Sequence, residues 1–216
     1  MSKFLLFSLL LLSSCALFQK STSLKQQPIE DILQMVRLTG EGRGRLGLDQ
    51  NNYIFSYEAL IKNGDDWLLA VSVPLHGEEV MLLTNLTSVQ PDLSSPQSFE
   101  FRLQQEIDQR YWRQRLSGKQ YVQELRSMIR FLLAKHLGLK RECRQNNSDI
   151  YMCEMDGSNF ELRVEKGKLR VKKNISAEHQ LELLAENLTE SFFARTNFLL
   201  LSQKGTSIMS LELFWK

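Results

Sequence analysis

The sequence predicts an α+β fold, an antiparallel sheet whose concave face is covered by helices, and three observations lead there. Apolar residues alternate with period two over residues 53–61, 160–171 and 208–215, as strands with one buried face require. Two other segments, residues 28–38 and 121–137, instead repeat their apolar positions at helical spacing. Short turn signals such as Asn63-Gly64-Asp65, Glu165-Lys166-Gly167-Lys168 and Gln203-Lys204-Gly205 join the strand-like runs, which favours antiparallel neighbours. The chain has 216 residues, 43% of them hydrophobic and 24% charged, enough for one sizeable core. Its formal net charge of +2, with no basic stripe, argues against nucleic acid as a partner.

The first fourteen residues read as a targeting signal. Lys3 precedes the apolar run FLLFSLLLL, which is too short to span a bilayer, and Leu12-Ser13-Ser14-Cys15 follows. This arrangement resembles the bacterial lipobox, in which the chain is cut before a cysteine that becomes lipid-modified. The alternative is a plain secretory signal with an incidental cysteine. The resemblance makes Cys15 the lipidation site and membrane lipid a partner through that anchor. Ala16 stands where enterobacterial lipoproteins retained at the inner membrane carry aspartate, so the expected place is the outer membrane, facing the periplasm. Residues 15–27 then form a polar lipidated tether, and residues 28–216 a single domain.

Residues 28–38 suit a short helix, with proline first, acids in the first turn and Ile29, Ile32, Leu33 and Val36 on one face. Gly40, Gly42, Gly44 and Gly47 follow. A phosphate-cradling loop would need a helix after it and a Gly-Lys-Ser/Thr signature; here a strand pattern follows, so the glycines let a strand bend or cross a close neighbour. Residues 53–61, 67–73 and 80–84 form an antiparallel meander. Residues 99–116 are rich in Gln, Arg and aromatics, and their second half reads as helical. Residues 121–137 make a clearer helix, ended by Gly138. Strands return at 160–165 and 169–171, Ser176 caps a short helix bearing Leu181, Leu184 and Leu188, and the hairpin 197–202/208–215 closes the chain.

Cys143 and Cys153 flank the turn signal Asn146-Asn147-Ser148-Asp149, so a hairpin there sets the sulfurs opposite each other. An oxidising compartment then favours a disulfide; two buried thiols are the alternative. No histidine lies near to complete a metal site, and no metal or other cofactor is expected. No G-x-S-x-G is present, and His76 with Glu78 and Glu79 are adjacent loop residues that seldom converge on one ion. The sequence does not support an enzyme.

Taken together, the lipobox, "TGEGRGRLGL", "IFSYEAL", "WLLAVSVPLHGEEVMLL" and the terminal "SIMSLELFW" resemble the outer-membrane lipoprotein receptor family, LolB. The resemblance covers residues 38–84 and, more loosely, 160–216, while residues 91–151 depart from it. It implies an incomplete β-barrel whose open side is covered by helices. It also implies that lipoproteins are accepted from a periplasmic, LolA-like carrier and delivered to the outer membrane by a monomeric, non-enzymatic receptor. Such a receptor needs an apolar cavity, because exposed acyl chains cost about 0.8 kcal/mol per CH₂. Candidate lining is Tyr53, Phe55 and Tyr57; Trp67, Leu69 and Val71; Leu82; Phe160 and Leu162; and Leu211, Leu213 and Trp215, for each of which ordinary core is the alternative. The family's Pro-Leu-Gly loop maps onto Pro74, Leu75 and Gly77, with the glycine displaced by one. That makes Leu75 a membrane-inserting residue, unless it folds back under its hairpin. Two other functions fit the same sequence: an envelope scaffold or adaptor using Arg110-Tyr111-Trp112-Arg113 as an interface, and a carrier of another apolar lipid.

Overall fold

The computed structural model of the chain describes residues 27–48, 51–73, 77–89, 99–111, 116–189, 191–202 and 204–216. One antiparallel sheet of eleven strands dominates it. The first meander comprises β1 (Gly40–Leu48), β2 (Asn51–Lys62), β3 (Asp66–Val73) and β4 (Gly77–Leu83). The second comprises β5 (Glu142–Asn147), β6 (Ile150–Met155), β7 (Ser158–Glu165), β8 (Lys168–Asn174), β9 (His179–Leu188), β10 (Phe193–Ser202) and β11 (Ser207–Trp215). Strand order is β4-β3-β2-β1-β11-β10-β9-β8-β7-β6-β5, so within the described sheet the two meanders are joined by the pairing of β1 with β11. Among the described residues, three helices accompany the sheet: α1 (Ile29–Gln34), α2 (Phe99–Tyr111) and α3 (Gly118–Leu133).

This corrects the α+β expectation. The helices are only 6, 13 and 16 residues long and form no layer over a curved barrel; the fold is a large antiparallel sheet with short helices touching it locally. One error lies in the segment Ser176 was expected to cap, which is strand β9. Leu181, Leu183 and Ala185 alternate on its buried face, and β8 and β10 pair on either side. A strand flanked on both sides and carrying leucines on both faces has no clean period, so helical spacing at Leu181, Leu184 and Leu188 arises by coincidence. Residues 35–38 also leave the helix: α1 stops at Gln34, and the carbonyl of Met35 accepts from the Phe193 amide at the start of β10.

The glycine strand β1 is explained by its neighbours. Gly42 stands opposite Tyr57 on one side and Trp215 on the other; Gly44 stands opposite Phe55 and Leu213. A methyl group on Gly44 would run into the Phe55 ring, and one on Gly42 into the Phe214 carbonyl and the Tyr57 hydroxyl. The missing side chains therefore make room for aromatic rings from β2 to lie across β1. Phe55, Tyr57 and Trp215 then pack edge to face, with ring centres 6.2 Å apart for the first pair and 5.1 Å for Tyr57 and Trp215.

Helix α3 binds the second meander. Phe131 stacks on Phe160 at 4.1 Å, and Lys173 from β8 reaches Ser127 at 2.7 Å, Ser158 at 2.8 Å and Glu124 at 2.5 Å. Two buried arginines on the same helix hold the segment after β4. Arg126 donates to the carbonyls of Asn85 and Ser88, and Arg130 donates to those of Leu86 and Ser88 while pairing with Asp156 at 2.5 Å. Planar guanidinium groups suit this task, since each satisfies several carbonyls at once.

Candidate functional site

A cleft of about 540 Å³ opens where α1, the end of β2, the end of α3 and the start of β10 converge. Val36, Leu38, Ile61, Leu133 and Phe192 give it an apolar floor, with Leu60 alongside. Gln34, Arg37, Thr39 and His136 supply its polar rim. The local sequence explains the shape. The helix ends at Gln34, the chain turns through 35–39, and the ladder of β1 begins at Gly40. Lys135 donates to Gln34 at 2.8 Å, and Arg141 grips Glu30 at 2.7 Å, so α1 is tied to the end of α3 and the chain beyond it.

Arg37 is the most organised group of the rim. Its Nε donates to the Thr39 carbonyl at 2.9 Å and Nη1 to the main-chain oxygen of Lys216 at 2.6 Å. The guanidinium lies 4.7 Å from the centre of the Phe192 ring and 5.9 Å from that of Trp215, a cation–π arrangement that fixes its plane. Behind the cleft lies the packed aromatic layer: the Trp67 indole donates to the Leu38 carbonyl at 2.7 Å, and the Trp215 indole to Thr196 at 3.0 Å. Burial pushes the Tyr57 phenol upward from its ordinary pKa, and the positive charge of Arg37 offsets this only in part.

The predicted site residues fall into separate groups. Cys15, Pro74 and Leu75 lie outside the described residues, as do Trp112 and Arg113. Gly77 opens β4 at φ +85°, exposed and with space around it. Phe55, Tyr57, Trp67, Leu69, Val71, Leu213 and Trp215 come together across β11, β1, β2 and β3, all buried, while Phe160 and Leu162 sit on β7, with Phe160 beneath α3. Leu211 is half-buried against the same core. Tyr53 is 46% exposed, because β3 pairs with β2 only from Ser56 onward and the first residues of β2 outrun that partner. In β4 the residue opposite Trp67 is Leu83, which is buried; Leu82 pairs with Leu68, and its side chain is outside the described set. Tyr111 is buried, leaving Arg110, which pairs with Glu106, as the exposed member of that stretch among the described residues.

None of the twelve lining candidates borders the cleft. Its residues come instead from element ends; periodicity marks Val36 and Ile61 as apolar-face positions but does not bring them together. The one sequence signal was the cationic Arg37 set between Val36 and Leu38 just past the end of a helix. Cys143 and Cys153 stand opposite each other in β5 and β6 and are joined by a disulfide. Among the described residues, no helix is long and apolar enough to cross a membrane, and no group of three His, Cys, Asp or Glu side chains is placed to hold a metal ion.

The chain matches no protein-family model, no curated protein and no solved structure.

Proposed function

We propose that the chain is a lipid-anchored envelope protein that receives the acyl chains of a lipoprotein and passes them to a bilayer. The observation that carries this reading is the cleft: an apolar floor open to solvent, backed by the aromatic layer of β2, β3 and β11. The lipobox-like signal and the resemblance of residues 38–84 to lipoprotein receptors support it from the sequence side. In this reading Cys15 holds the molecule at the outer membrane. Leu75 enters the lipid surface, where leaving water is worth about 1.5–3 kcal/mol. The donor is a soluble periplasmic carrier.

The test uses full-length protein in proteoliposomes, with a lipoprotein loaded on its soluble carrier. Wild type should move the lipoprotein into the vesicles, and Leu75→Glu should lose most of that transfer. Absence of transfer by wild type sinks the reading; unimpaired transfer by Leu75→Glu removes Leu75 from it. Tight burial of Leu69, Phe160 and Leu162 favours a second reading, an envelope scaffold with a filled core. Mass spectrometry separates the two, since only the receptor should copurify with acyl lipid.

A further inference from the structure

We propose that the cleft beside Arg37 recognises one single-chain amphiphile with an anionic head. The chain lies on the floor of Val36, Leu38, Ile61 and Leu133, and the head meets the Arg37 guanidinium and the His136 imidazole. The proposal rests on the acyl-chain reading above and names the ligand of that site. Four observations carry it. First, none of the cleft's lining residues is acidic, while one is a permanent cation and one an exposed imidazole. Second, Arg37 is pre-oriented: Nε and Nη1 are committed to main-chain oxygens of Thr39 and Lys216 and the plane rests on Phe192, yet Nη2 has no hydrogen-bond partner among the described residues. A fixed guanidinium with an unused donor is what a carboxylate or phosphate oxygen requires, because little further ordering is needed when the charge-assisted bond forms.

Third, the cleft's size falls in the range of small-molecule sites, roughly 300–1,000 Å³, so it holds one chain with its head. The several acyl chains of a lipoprotein would then enter singly. Fourth, the apolar lining apart from Phe192 is aliphatic, and the Phe192 ring lies against the Arg37 guanidinium. A flat polar ligand would leave that aliphatic floor unused. A neutral lipid would leave the Nη2 donor without an anion.

The shared head chemistry, an anionic oxygen cluster, can come from a fatty-acid carboxylate or a lysolipid phosphate. The experiment uses full-length, lipid-anchored protein in phosphatidylcholine nanodiscs and three diazirine-bearing probes: palmitate, a lysophosphatidate and hexadecanol. After photolysis, labelled peptides are mapped by mass spectrometry. Residues 34–39 and 133–136 should be labelled at least about tenfold more by an anionic probe than by the alcohol, a ratio equal to about 1.4 kcal/mol. Labelling by palmitate alone names a fatty acid as the source, and by lysophosphatidate alone a lysolipid. Arg37→Gln should reduce anionic labelling to the level of the alcohol, and Leu133→Trp should block all three probes. Should Arg37→Gln fail to fold, the probe comparison on wild type and on His136→Gln, changed at an exposed rim position, still decides. Equal labelling by the alcohol overturns the anion recognition while leaving the acyl-chain reading standing. No labelling of these peptides by any probe overturns the site itself, and the transfer assay then shows whether the broader reading survives.

Discussion

Tyr121, on the buried face of α3, carries a phenol whose ionisation burial makes costly, with neighbouring Tyr111 adding to the effect; its pKa is pushed up, like that of Tyr57. Both phenols are therefore neutral in the fold at pH values where an unfolded chain begins to ionise them, near 10. Above that point the unfolded state binds fewer protons than the native one. The stability these groups contribute is thus complete below about pH 10 and falls as pH rises beyond it. Urea titrations between pH 8 and 11 should show this decline, and a Tyr57→Phe/Tyr121→Phe variant should show a shallower one. An equal decline in the variant would mean other groups are responsible. At neutral pH, Tyr57→Phe should be nearly silent, since that hydroxyl has no partner among the described residues. Single residues were unevenly legible in the sequence. Alternation announced Phe55 and Tyr57 as buried, but nothing in it distinguished a cavity wall from a filled core. Arg37 and His136 lie at element ends, and only the assembled chain brings them together.

The hairpin of β5 and β6 is the end of the sheet furthest in strand order from β4, and its outer strand is largely exposed. Few buried contacts hold it, so the Cys143–Cys153 bond matters there more than it would in the middle of the sheet. Replacing both cysteines by serine should cost about 2–3 kcal/mol by the loop-closure argument, read as a lower urea midpoint. A change below about 0.5 kcal/mol would mean that packing on Phe160 alone secures the hairpin. At this scale the sequence was most informative where a turn signal separated two alternating runs, as around Asn63-Gly64 and Gly167. It misled at β9, where the spacing of Leu181, Leu184 and Leu188 suggested a helix and gave no role to Glu182 and Glu186. Those carboxylates in fact pair across the sheet: Glu182 with Arg170, and Glu186 with Lys168 at 2.6 Å and Arg195 at 3.1 Å. Cross-strand charge pairs of this kind cannot be seen before the register is known.

At the scale of the whole molecule one seam joins the sheet. Among the described residues the two meanders pair with each other through β1 and β11, with α3 as a second bridge beside them, and β11 also buries Met209, Leu213 and Trp215. A chain ending at residue 206 should therefore lose its cooperative unfolding transition altogether, as followed by circular dichroism in urea. Retention of a sharp transition would show that the second meander stands alone. The sequence showed the first meander and the closing hairpin, but it put a helix where β9 joins β8 to β10, and the pairing of β1 with β11 leaves no local trace. Synthesis proceeds from one end, however, so β1 is made long before its second neighbour. At ~5–20 residues per second, roughly ten to thirty seconds separate the emergence of β1 from that of β11. During that interval a glycine strand with one bare hydrogen-bonding edge, and the aromatic rings laid across it, stand open to any other extended chain. The late-closing seam thus makes the newborn polypeptide a natural client for factors that shield strand edges.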